Sequence, residues 1–337
     1  MAAASGKNCS VGHSLGRGMP NSSAQPSRCL RCLFFLSALH RFARHLMKVQ
    51  AAQPIRVHLP TVVVVGVGLI GGSVGLAVRS RMLSGRVIGV GRSSASLAEA
   101  KGCGVVTETS TDLSRAAAEA DIVVVATGVA AIPELLEQID KAVRPGTLIT
   151  DAGSTKASIV AAWEKRRRWR RGRFVGGHPI AGSHRRGPSA AAADLFTGRV
   201  TVVTPSKNTP AADAEEVGGF WASLGSTVFM MTPREHDSML AATSHAPHVL
   251  AAAIAAATPP ESRQLTAGGW RDTTRIAAGD PDLWADILLD NVAAVAKALS
   301  RIAGNAEKIL EALEKNDRKK LVSLLKRAKE DRDAVGS

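Results

Sequence analysis

The stretch RFVGGHPIAGSH, Arg173–His184, sets one imidazole, His178, between a glycine pair and a proline, with Gly182 four positions on. Glycine lets a backbone turn tightly and lets a ligand approach it, and proline stiffens the chain beside it. The pattern reads either as a plain loop or as a device that aims one imidazole. Three other stretches carry side chains able to do chemistry. DAGSTK, Asp151–Lys156, offers the Ser154 hydroxyl, which equally suits a helix cap. Ser244-His245-Ala246-Pro247-His248 sets two imidazoles at i, i+3 on one helical face, with Pro247 expected to interrupt the helix. A metal is conceivable there, but no carboxylate cluster accompanies the histidines, and no metal site is expected. GGWRDTTRIAAGDP holds Arg271 and Arg275 one helical turn apart. Arginine binds a carboxylate through two parallel hydrogen bonds, and a pair of surface charges has the same spacing.

VVVVGVGLIGGS places Gly66-x-Gly68-x-x-Gly71 directly after a strand pattern and at the opening of a helix. That context is what the dinucleotide fingerprint requires: the glycines permit the turn and the close approach of a pyrophosphate to the helix N-terminus. The second strand ends in GVGRSS. An NAD enzyme usually has an acidic residue there for the ribose 2′-hydroxyl. Here Gly91 stands in that place, followed by Arg92 and Ser93, which suit a 2′-phosphate. NADP is therefore favoured and NAD remains possible. The candidate cofactor-binding set is Gly66, Gly68, Leu69, Ile70, Gly71, Arg92, Ser93 and Thr127.

These groups need a scaffold, and the pattern supplies one. TVVVV (61–65), RVIGV (86–90), DIVVVA (121–126) and TLIT (147–150) read as buried strands alternating with helical stretches. RVTVVTP and STVFMM read as late strands of the same sheet with a helix between them. The class is α/β, a Rossmann-type doubly wound parallel sheet. DAGSTK and GGHPIAG each follow a predicted strand, which directs Ser154 and His178 into the crevice at the carboxyl ends of the strands, where ligands bind in such sheets. After Pro233 only helical patterns follow, Asp280 with Pro281 being a good start signal. The expected organisation is a basic leader over 1–53, a dinucleotide-binding domain over 54–232, and an all-helical C-terminal domain over 233–332 whose Ala-rich helices suit subunit packing.

A chain of 337 residues, 45% hydrophobic, is long enough for two domains. The net charge of +14 is uneven: residues 1–50 carry seven Lys or Arg, and the first acidic residue is Glu99. That leader has a transit-peptide composition, or the chain starts at Met47. The block KRRRWRRGR, Lys165–Arg173, contains Trp169 but no nucleic-acid motif around it, so no nucleic-acid partner is expected. No run of 18 apolar residues occurs, so no membrane span is expected. Four cysteines, Cys9, Cys29, Cys32 and Cys103, make no disulfide framework at this length. A cytoplasmic location is expected, with organelle import if the leader is a true transit peptide.

GVGLIGGS, DAGSTK, GGHPIAGS, SHAPH and RDTTRIAAGDP, in this order, resemble the prephenate/arogenate dehydrogenase family of tyrosine biosynthesis, from about Val62 to the C-terminal helices. The resemblance implies a nucleotide-binding domain followed by a helical dimerisation domain, and hence a homodimer. It also implies the oxidative decarboxylation of prephenate or arogenate with reduction of NAD(P). By motif, His178 would accept the proton of the ring hydroxyl and Ser154 would orient it. Arg275 would hold a substrate carboxylate, with Arg271 the next candidate, and His248 and His245 would contact the substrate. Many relatives have an acidic residue where this chain has His184, which favours prephenate over arogenate. Two alternatives share the Rossmann half: an NADP-dependent hydroxyacid or imine dehydrogenase, in which Lys297 would be the helical-domain lysine, and a non-catalytic NADP-binding regulator.

Overall fold

The computed structural model describes residues 59–165, 170–182 and 185–335. The leader, Trp169 and His184 lie outside them. Eight strands form one sheet: β1 (Thr61–Val65), β2 (Arg86–Val90), β3 (Glu108–Ser110), β4 (Ile122–Val125), β5 (Leu148–Asp151), β6 (Arg173–Pro179), β7 (Val200–Thr204) and β8 (Thr227–Met230). Their order is β3-β2-β1-β4-β5-β6-β7-β8. The first six follow the Rossmann order and are parallel. Val62 and Val64 enter one hydrophobic cluster while Val63 and Val65 enter another, so this valine-rich strand is covered on both faces. Helices α1 (Leu69–Ser80), α2 (Ser94–Gly102) and α6 (Ala211–Ser223) cover the first face. Helices α3 (Leu113–Ala118), α4 (Ile132–Ala142) and α5 (Ala157–Lys165) cover the second.

Three features depart from the sequence expectation. The edge strand β3 is an addition to the expected strands, because Glu-Thr-Ser carries no apolar signal. The strand β7 runs antiparallel to β6, and β8 then runs parallel to β7. A parallel return would need a crossover to the far end of the sheet. Instead, the described residues between β6 and β7 contain a single short 3₁₀ turn, Pro188–Ala190. This loop lies over α1, where the Ala192 N–H donates to Ser73 Oγ at 3.0 Å. The third departure is that GGHP belongs to β6 itself and does not follow a strand.

The strands end with β8, and a helix begins at once. In α7 (Pro233–Leu240), Thr232 caps the N-terminus through a reciprocal box with Glu235, and Pro233 occupies the first turn, where its missing N–H costs nothing. The chain continues as α8 (Ala246–Ala257), α9 (Gly268–Thr274), α10 (Pro281–Asp290), α11 (Val292–Glu314) and α12 (Arg318–Asp333). Asp280 caps α10 by accepting from the Leu283 N–H at 2.8 Å. Pro247 does not break the helix. A single π turn, Ala241–His245, joins α7 to α8, and the Ala246 N–H reaches back to the Ala241 carbonyl. The wider turn accommodates the bond that proline cannot make. By length and composition, the continuous Pro233–Ala257 helix could cross a membrane, at a mean hydropathy of 1.3. It nonetheless carries the buried side chains of His236, Asp237, His245 and His248.

Candidate active site

The glycine motif forms a cradle that a dinucleotide fits. Gly66 turns the chain at φ +91°, a conformation that favours glycine. A Cβ on Gly71 would collide with the Gly66 carbonyl oxygen, whereas Gly68 faces open space. Gly68 is also the N-cap of α1 and provides no side-chain acceptor, which leaves first-turn N–H groups free for an anion. Leu69 and Ile70 open that helix, and Thr127 Cγ2 lies beside the position a Gly66 Cβ would take. At the end of β2, Arg92 is exposed, and Ser93 caps α2 by accepting from the Ser96 N–H at 3.3 Å.

His178 projects from the last turn of pleat in β6, half-buried, at the same carboxyl edge. The two preceding glycines make room. A Cβ on Gly177 would lie 2.8 Å from the Asp151 carbonyl oxygen and 2.8 Å from Trp221 Nε1, and one on Gly176 would lie 2.6 Å from Thr204 Oγ1. The imidazole is thus aimed by tight packing of an extended strand, not by a turn.

The partner of His178 comes from the helical part of the chain. Nδ1 of His178 is 2.8 Å from Nε2 of His236, on α7. Nδ1 of His236 is in turn 2.8 Å from Asp237 Oδ1. The Asp237 carboxylate also accepts from the backbone N–H groups of Lys156 and Ala157, each at 2.8 Å. Asp237, not Ser154, therefore caps the start of α5. Ser154 is half-buried in the β5–α5 loop, which is fixed by Asp151: its carboxylate accepts from the Gly153 N–H at 2.9 Å and from the Gly177 N–H at 3.1 Å. Fully buried Lys156 pairs with the same carboxylate. Sequence reasoning missed His236, Asp237, Asp151 and Lys156.

Burial holds the histidines in their neutral form. The His178 pKa lies well below the ordinary histidine value, chiefly from desolvation, with repulsion from His236, Lys156 and His245 adding to it. Desolvation also lowers His236, against the opposing hydrogen bond to Asp237. His245 falls to about 4, again mainly through burial. Burial raises Asp237, but the hydrogen bonds from His236 and from the Ala157 and Lys156 backbones outweigh it and leave the pKa low.

The other predicted residues are distributed as follows. His245 and His248 share one aromatic neighbour, Trp284 on α10: His248 stacks on it at 3.6 Å between centroids and 14° between planes, and His245 meets it edge-on at 6.2 Å. Asn291 donates to His245 Nδ1 at 3.2 Å and to the Asp237 carbonyl at 2.8 Å. The buried Nδ1 of His248 has no partner among the described residues. Arg271 lies on α9 and Arg275 on the 3₁₀ turn that follows it; both are exposed, and neither is held by an ion pair among the described residues. Lys297 is exposed on α11. Among the described residues, no group of three or more His, Cys, Asp or Glu side chains could hold a metal ion.

Two family models match the chain, one on each side of the β8–α7 junction. Residues 74–230 match the family model described as prephenate dehydrogenase, nucleotide-binding domain, and residues 232–327 match the prephenate dehydrogenase dimerization domain. The chain is 33% identical over 282 residues to the prephenate dehydrogenase of Bacillus subtilis, covering 82% of this chain and 76% of the relative. Its fold is similar to that of prephenate dehydrogenase from A. aeolicus in complex with hydroxyphenyl propionate and NAD+, with a TM-score of 0.77, 29% identity, and coverage of 83% of this chain and 100% of that one. It is also similar to the Synechocystis arogenate dehydrogenase, with a TM-score of 0.70, 28% identity, and coverage of 82% and 99%.

Proposed function

This chain belongs to the prephenate dehydrogenase family, and we propose that it converts prephenate to 4-hydroxyphenylpyruvate and CO2 with NADP as the preferred oxidant. The observation that carries the reading is His178: an imidazole kept neutral by burial, at the carboxyl edge of the sheet that also bears the glycine cradle. A nicotinamide dinucleotide, when bound in that cradle, supplies the hydride acceptor.

The residues of the chain do the rest. His178 takes the proton of the ring 4-hydroxyl as hydride departs from the same carbon. The bond from the ring to its carboxylate then breaks, its electron pair enters the ring, CO2 leaves, and the phenolate oxygen so formed takes the proton back from His178. Ser154 orients the hydroxyl from the neighbouring loop. Arg275 holds a substrate carboxylate, and its lack of an acidic partner among the described residues leaves its guanidinium free to do so. His248 and His245 contact the substrate from the helical side. The NADP preference rests on Gly91, which offers no acid to a ribose hydroxyl, and on exposed Arg92 beside it. The preference for prephenate over arogenate rests on His184, which brings no fixed negative charge to attract an ammonium group. The helical part is proposed to pair two copies of the chain; Ile254, Leu289, Val292, Leu310 and Leu313 are exposed on it.

The test is nucleotide reduction by the purified protein with prephenate or arogenate, with the product identified chromatographically. His178→Asn is expected to lower turnover by about 100-fold or more while leaving nucleotide affinity nearly intact. A variant that keeps most of its turnover would show that His178 is not the base.

A further inference from the structure

A general base works only if its lone pair faces the proton it must take, and a neutral imidazole carries that lone pair on one nitrogen alone. We infer that His236 and Asp237 are positioning residues that fix the tautomer of His178, holding its lone pair on Nε2. The inference deepens the function proposed above and takes His178 as the base from it.

Ionised Asp237 can only accept, and it accepts from two backbone N–H groups as well as from the ring. Nδ1 of His236 must therefore carry a proton and donate it. The other nitrogen of neutral His236, Nε2, then holds a lone pair, and it faces Nδ1 of His178 at 2.8 Å. Two lone pairs at that distance would repel, so Nδ1 of His178 must be the protonated one. Its Nε2 is left as the only acceptor on the ring. The opposite arrangement, with His178 protonated on Nε2, would need a donor at His236 Nε2 and an acceptor at its Nδ1, which the carboxylate forbids.

After proton transfer, the imidazolium of His178 keeps its Nδ1–H bond to His236, and Asp237 anchors the far end. No proton leaves the array, so each member holds the same bonds before and after the step. Serine proteases show what such an anchor does: replacing the orienting carboxylate by an amide leaves the geometry intact and costs about 10⁴-fold in turnover, because the imidazole adopts the wrong tautomer.

The primary experiment needs no substrate. The protein is labelled with ¹⁵N-histidine, and the ring nitrogens are observed near neutral pH, with His178 assigned by the signals lost in His178→Asn. The expected result is a protonated Nδ1 and a bare Nε2 on His178; the reverse pattern, or an even mixture, would overturn the inference. Asp237→Asn introduces an amide donor beside His236, so it is expected to populate Nε2-protonated His178. Turnover should fall by about 100-fold or more, with the Michaelis constant for the nucleotide changed less than about threefold. Turnover within about threefold of the parent would overturn the inference. If that variant fails to fold for want of its backbone caps, His236→Phe removes the acceptor alone; it should lose turnover to the same extent, and unchanged turnover would count equally against us. If the protein oxidises neither prephenate nor arogenate, the proposed function fails, while the tautomer reading is still decided by the spectrum.

Discussion

The pair Lys156–Asp151 offers a measurement that bears on the whole site. Both side chains are fully buried, and the Asp151 carboxylate also fixes the loop before α5 and the backbone of Gly177. Lys156→Met keeps most of the side-chain volume and the backbone N–H bond to Asp237, and removes only the ammonium. A buried carboxylate left without its cation typically costs about 3–5 kcal/mol. Two offsets apply. The two backbone donors to Asp151 remain, and the lysine no longer has to be desolvated, the burden that lowers its pKa in the folded state. The expected loss is therefore at the lower end, about 3 kcal/mol, roughly a hundredfold in the folded-to-unfolded ratio. Denaturant unfolding at fixed protein concentration, compared with the parent, reads it directly. The double variant Asp151→Asn with Lys156→Met removes both charges and should recover more than half of the loss. A loss below about 1 kcal/mol, or a double variant no better than the single, would refute the reasoning.

Acid should weaken the parent protein well before its ordinary carboxylates titrate. Burial lowers His178, His236, His245 and His248 below the usual histidine range, His245 to about 4. The unfolded chain takes up protons near pH ~6.5 while the folded chain does not, so stability is full above that pH and declines below it; an unfolding midpoint that stays flat between pH 7 and 5 would contradict this. Arg275→Ala should raise the Michaelis constant for the substrate by about tenfold or more with turnover much less affected, on the usual scale for a lost charged hydrogen bond; if Arg271→Ala does so instead, the clamp sits one turn earlier. Arg92→Ala should narrow the gap between NADP and NAD in kcat/KM, and a parent enzyme that prefers NAD would remove the basis for the Arg92 argument.

The sheet was legible where burial is total. TVVVV and IVVV have core on both faces, and an unbroken valine run has few other homes in a globular chain. β3 was illegible because three polar residues on an edge strand have no core to face. The reversal at β7 was illegible for another reason: strand direction depends on how residues 180–199 return, and the strand pattern is the same in both directions. At β6, glycine and proline have the local pattern of a turn, whereas the true constraint is the proximity of Trp221, Thr204 and the Asp151 backbone. Those neighbours are distant in sequence, and no local spacing announces them.

The site divides along the same line. His178 stood out because unusual residues surround it. Its partners did not, since REHDSML reads as the ordinary charged first turn of a capped helix. The signal available was weak: His236 directly precedes Asp237, and only burial distinguishes such a pair from two solvated side chains. Asp151 and Lys156 were visible in DAGSTK, but a separation of five residues across a strand end does not reveal that they face each other in the interior. What connects them is Asp237. One carboxylate on α7 holds the first backbone N–H groups of α5, beyond the Ser154 loop, and through His236 it holds the base on β6. The base and the loop that would orient the substrate thus share an anchor from the helical side of the chain. The geometry at the edge of the sheet is complete only with that helix docked, which is why motifs taken one at a time could locate the chemistry and still miss what sets it.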